Sequence, residues 1–87
     1  MRLEVGVELE SLIVAKLKEA IPDAELKLLD FTGTGDHWEL VIASESFRGK
    51  PKVRQHQMVY QPLRALIDAN SVHALKLTTL LPEQWQV

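Results

Sequence analysis

The spacing of apolar residues in this chain switches from helical to strand-like, back to helical, and to strand-like again, which leaves few folds open. From about Val7 to Ala20, the residues Leu9, Leu12, Ile13, Leu17, Ala20 and Ile21 follow helical spacing, with Lys16, Lys18 and Glu19 largely on the other side. Pro22-Asp23 ends that helix. Ala24 to Asp30 alternates, Leu26 and Leu28 against Glu25 and Lys27, and reads as a strand. Thr32-Gly33-Thr34-Gly35-Asp36 is a loop. His37 to Ser44 alternates again, with Trp38, Leu40 and Ile42 on one face, so the two strands should form an antiparallel hairpin.

Arg48-Gly49-Lys50-Pro51 is a turn, and Pro51 suits the first turn of a following helix. Lys52 to Ala69 carries a helical stripe of Val53, Val59, Leu63, Leu66 and Ile67. Pro62 interrupts it, which predicts a kink or two abutting helices. Asn70 is a left-handed stop, Val72 to Thr79 a third strand, and Pro82-Glu83-Gln84-Trp85 a short terminal turn. A helical crossover between the second and third strands favours a parallel, right-handed connection. The expected fold is therefore α+β, in the order α-β-β-α(α)-β, a three-stranded mixed sheet with helices on one face, as in the type II KH-like class. No repeat or linker divides the chain, so residues 1–87 should share one core.

Nothing can staple that core. The chain has no cysteine, which excludes disulfides and thiolate metal sites within it, and its 46% hydrophobic content must supply the stability by packing. No stretch approaches the roughly 20 apolar residues that span a bilayer. The N-terminus lacks the apolar run of a signal peptide, so the expectation is a cytoplasmic protein without membrane contact. A net charge of −2 argues against a generic phosphate-binding surface.

His37, His56 and His73 are the soft ligands of the chain. His37 opens the second strand and His73 the third. On parallel neighbours about 4.8 Å apart, both would start from one end of the sheet and could approach one metal centre. Strict alternation, however, places His37 opposite Trp38 and Leu40 while His73 shares parity with Leu75 and Leu77. The competing reading is one surface histidine and one satisfied near-core histidine. His56 sits on the helix, where a polar position bonding a neighbouring loop accounts for it.

Arg48, Lys50, Lys52 and Arg54 cluster around the turn, either as a solvated face or as a patch that steers an acidic partner or touches phosphates. The sequence has no GXXG, the loop with which KH domains clamp nucleic acid. Gly33-Thr34-Gly35 lacks the lysine and following helix of a phosphate loop. No serine stands in a nucleophile elbow, and the sequence does not read as an enzyme.

Phe47-Arg48-Gly49-Lys50, followed by Arg54-Gln55-His56-Gln57-Met58-Val59-Tyr60, resembles the signature around the central helix of BolA-like proteins. Val72-His73-Ala74-Leu75 and Pro82-Glu83-Gln84-Trp85 resemble that family's C-terminal portion, and Val59-Tyr60-Gln61-Pro62-Leu63 looks like its bacterial acid-stress paralogues. The resemblance runs from the first helix to Trp85. It implies an adaptor whose partner is a monothiol (CGFS-type) glutaredoxin, the two proteins sharing a [2Fe-2S] cluster. Glutaredoxin cysteine and glutathione would hold one side, and this chain the other. The family's histidine before the third strand maps onto His73. The second ligand, cysteine or histidine by subfamily, comes from the loop between the first two strands and maps onto His37.

Imidazole in place of thiolate generally raises a cluster's potential and makes it sensitive to protonation near neutral pH. Two ligands cannot complete a cluster, so no cofactor is expected in the isolated chain, a monomer or weak homodimer when free. The basic residues Arg48, Lys50, Lys52, Arg54 and His56 would contact the partner. The alternative is a KH-like DNA-binding transcriptional regulator of the stress response, using the same region. Many relatives read Arg-His-Arg at the central helix where this chain has Gln55-His56-Gln57, which weakens that alternative.

Overall fold

The computed structural model describes residues 5–30, 37–68 and 74–85. Its elements are helix α1 (Val5–Ala20), strands β1 (Glu25–Asp30) and β2 (His37–Ala43), a 3-10 turn η1 (Glu45–Phe47), helix α2 (Lys52–Asp68), strand β3 (Ala74–Leu80) and a second 3-10 turn η2 (Pro82–Gln84). The strands form one sheet in the order β1-β2-β3. β1 and β2 pair antiparallel, from Glu25 opposite Ala43 to Asp30 opposite Trp38. β2 and β3 pair parallel, from His37 beside Ala74 to Ala43 beside Leu80. This is the expected α+β fold with a mixed sheet.

Period-two alternation on β2 puts Trp38, Leu40 and Ile42 on one face, all buried. Ile13, Leu17 and Ile21, spaced four apart, meet that face from α1 and the residue beyond it, and Val59, Leu63 and Leu66 meet it from α2. Both helices thus cover the same side of the sheet. Each fully buried aliphatic side chain contributes about 1.5–3 kcal/mol, and that contribution holds the two layers together.

The helical stripes are narrower than the sequence suggests. Val53 is 71% exposed and Leu12 is 42% exposed. Six residues at about 100° each turn Val53 roughly 120° away from Val59, so it cannot share the buried face. α2 is a single helix that continues through Pro62, where the sequence predicts a kink or a second helix. Proline in a helix interior costs about 3 kcal/mol. Here the buried Val59 and Leu63 flank it within one core, and their packing outweighs the lost hydrogen bond.

β2 ends at Ala43 rather than Ser44, because Ser44 turns to cap η1, its hydroxyl accepting from the Ser46 N–H at 3.0 Å. Gly49 supplies the positive φ, 78°, that the turn into α2 requires. The expected loop over 32–36, the stop at Asn70 and the first residues of the third strand lie outside the described residues.

Candidate functional site

His37 is the first residue of β2, exposed, and the Cα partner of Ala74, the first residue of β3. A parallel ladder starts both strands at the same rim, as the sequence reading requires. His37 has the parity opposite to buried Trp38 and therefore takes the face away from the helices. Glu39 follows on that face and lies 3.9 Å from the ammonium of the exposed Lys76 of β3, a loose pair in which Glu39 is half-buried. His73, which precedes Ala74 in sequence, lies outside the described residues. Among the described residues no three His, Cys, Asp or Glu side chains gather as a metal site.

The basic residues sit at the other end of the sheet. The Lys52 ammonium donates to the Thr79 carbonyl and, at 3.3 Å, to the Thr79 hydroxyl, near the far end of β3. Five residue steps along β3 separate Thr79 from Ala74, roughly 17 Å at about 3.3 Å each. The rim histidine and the basic turn thus lie at opposite ends of β3.

Within the basic turn the four cations differ. Arg48 donates to both Glu45 and, at 2.8 Å, Glu83, tying η1 to η2. Those hydrogen bonds raise the arginine above its ordinary value and hold the Glu45 and Glu83 carboxyls below theirs. Lys50 donates to the Ser46 carbonyl at 2.9 Å and, among the described residues, makes no ion pair. Among the described residues, Arg54 makes no hydrogen bond or ion pair. His56 is half-buried and stacks edge-on against Tyr60, one helical turn along, with ring centroids 6.3 Å apart.

Two residues that organise this end were not singled out from the sequence. Gln55 is buried, its amide donating to the Phe47 carbonyl at 3.1 Å and the Lys50 carbonyl at 2.8 Å. Asp23 accepts from the Ser44 hydroxyl at 2.7 Å and from the Glu45 N–H at 2.9 Å, joining the turn after α1 to η1. These two bonds, the Ser44 hydroxyl first, hold the Asp23 carboxyl below its ordinary range. The signal available was Asp23 following Pro22, which reads equally as a helix stop.

A family model described as BolA-like protein matches residues 9–84. The acid stress protein IbaG of Escherichia coli strain K12 is 32% identical over 60 residues, 69% of this chain and 71% of that protein. The DNA-binding transcriptional regulator BolA of Haemophilus influenzae is 39% identical over 54 residues, 62% of this chain and 52% of that protein. The structure of BolA1 from Arabidopsis thaliana superposes with a TM-score of 0.77 at 28% identity, covering 87% of this chain and 94% of its own. No helix among the described residues is long and apolar enough to cross a membrane.

Proposed function

The chain belongs to the BolA-like family, and from that premise we propose that it is a non-catalytic adaptor that binds a monothiol glutaredoxin and co-ligates a shared [2Fe-2S] cluster through His37 and His73. The observation that carries this reading is the pairing of His37 with Ala74 in the parallel ladder. One peptide bond joins Ala74 to His73, and that bond spans about 3.8 Å between Cα atoms. His37 thus stands beside the first residue of β3, the strand that His73 precedes in sequence. The exposed His37 imidazole is open to a partner surface. The bound cluster would supply redox and iron chemistry. The chain's part is to present two neutral imidazoles and leave the remaining ligands to glutaredoxin cysteine and glutathione.

The test is to mix the purified chain with cluster-loaded monothiol glutaredoxin and follow visible absorbance and circular dichroism. The adaptor reading expects new bands that disappear in His73→Ala and weaken in His37→Ala. An unchanged spectrum with the wild-type chain overturns it.

One observation favours a second reading, the name of the Haemophilus influenzae relative as a DNA-binding regulator. In that reading the contact would run over Lys50, Lys52, Arg54 and the exposed sheet edge. A salt-dependent mobility shift with a defined DNA site, indifferent to His73→Ala, would replace the adaptor reading.

A further inference from the structure

Charge is segregated along this chain. Residues 46–67 contain no Asp or Glu, yet carry Arg48, Lys50, Lys52, Arg54 and Arg64, five of the ten basic residues. The rest holds five basic side chains against all twelve acidic ones, a net of −7. An acidic molecule with one cationic pole has a directed field and orients oppositely charged partners before contact.

The structure shows which cations form that pole. Arg48 is neutralised by Glu45 and Glu83. Lys50 and Lys52 donate to carbonyl oxygens, and Arg54 makes no polar contact among the described residues, so these three keep uncompensated charge. They alternate with exposed Pro51 and with Val53, which is 71% exposed. Cationic and apolar groups therefore interleave over Lys50-Pro51-Lys52-Val53-Arg54. The pole also stands at the Thr79 end of β3, whereas His37 stands at the Ala74 end.

We propose that Lys50, Lys52, Val53 and Arg54 form a second docking surface, separate from the histidine rim, for a short acidic protein segment bearing an apolar side chain. Charge complementarity selects the occupant. Duplex nucleic acid carries one charge per about 1.7 Å and would continue from the pole over the acidic remainder of the molecule. A short acidic segment ends where the cations end, and Val53 gives it an apolar seat. With two separate surfaces the chain can hold a partner at each end, an arrangement that goes beyond the glutaredoxin reading and does not depend on it.

The probe is a fluorescein-labelled synthetic peptide of glutamates and aspartates around a central leucine, followed by anisotropy against the full chain. The proposal expects salt-sensitive binding that weakens about tenfold or more in Lys50→Glu/Arg54→Glu and is unchanged in His37→Ala. Both substitutions spare the Lys52–Thr79 bond, and circular dichroism confirms that the variant folds. Replacing the central leucine by serine should weaken binding in the wild type and leave Val53→Ser indifferent. Peptide binding insensitive to the double substitution overturns the proposal, as does tighter binding of a DNA duplex of equal charge. Visible bands with cluster-loaded glutaredoxin that vanish in the double variant would also overturn it, by making the pole part of the rim partner's footprint. If the wild-type chain forms no such bands yet binds the peptide as expected, the adaptor reading fails and the second surface stands.

Discussion

The Thr79 hydroxyl donates to the Gln55 side-chain oxygen at 2.5 Å, joining the far end of β3 to the first turns of α2 inside the core. The same Gln55 amide donates to two carbonyls of the turn between η1 and α2. One buried side chain thus satisfies both its donor and acceptor capacity across three segments. Among the described residues no buried side-chain nitrogen or oxygen is left without a partner. The basic pole inherits its shape from this joint, because Lys50 lends its carbonyl to it and Lys52 bonds Thr79.

Gln55→Ala strands the Lys50 carbonyl, takes the acceptor from the Thr79 hydroxyl and leaves the Phe47 carbonyl with the Lys50 N–H alone. Each stranded buried group costs about 1–3 kcal/mol, partly recovered where water enters. The expected loss is about 2–3 kcal/mol, read as a lowered urea midpoint with unchanged slope. Thr79→Val removes one donor and leaves the two carbonyl bonds, so about 1 kcal/mol is expected. Equal losses from the two variants would mean that the carbonyl bonds contribute nothing.

Asp23 makes stability depend on acid. Its folded carboxyl titrates below the unfolded value, about 3.9, because the Ser44 hydroxyl and the Glu45 N–H favour the charged form. A depressed carboxylate stabilises the fold above its unfolded value and loses that contribution as pH falls through the folded one. Wild type should therefore be more stable than Asp23→Ala near neutral pH, with the gap closing in strong acid. Urea midpoints for both proteins across that range check the sign. A gap that widens in acid would contradict the assigned bonds.

Much of the fold was readable because its determinants are periodic. Leu40 and Ile42 alternate, and Ile13, Leu17 and Ile21 repeat every four residues, so pattern alone predicts the face that each buries. The parallel pairing was readable too, since a helical crossover favours parallel neighbours, and it brings the starts of β2 and β3 together. What escaped depends on partners distant in sequence. Asp23 meets Ser44 and Gln55 meets Thr79 through tertiary folding, and neither residue type announces its partner. The placement of the basic turn at the Thr79 end of β3 likewise comes only from tertiary folding, through the Lys52–Thr79 bonds. Val53, which spacing alone assigns to the helical stripe, is exposed because six residues turn it roughly 120° away from Val59.

Pro62 marks the reverse case, where local chemistry predicts a break and packing overrides it. The helix continues because Val59 and Leu63 are buried on either side. Pro62→Ala restores the backbone donor and removes the ring clash, so a gain of about 1–3 kcal/mol is expected at this half-buried position. Thermal unfolding of the two proteins measures it. A loss instead would mean that the proline ring fills space that alanine leaves empty.

His37 separates fold from function. It is exposed, and among the described residues it makes no hydrogen bond or ion pair, so His37→Ala should change stability by less than about 0.5 kcal/mol. His37→Cys is the sharper variant, since a thiolate donates to iron more strongly than imidazole and lowers a cluster's potential. With cluster-loaded glutaredoxin, His37→Cys should retain visible bands at shifted positions and show a lower reduction potential than wild type, while His37→Ala weakens them. A cysteine variant spectrally identical to wild type would place the ligand elsewhere along the rim, because changing the donor atom on iron must change the charge-transfer bands. The stability measurement keeps that outcome informative, as a folded His37→Ala that still forms the wild-type bands could only be explained by a ligand other than His37.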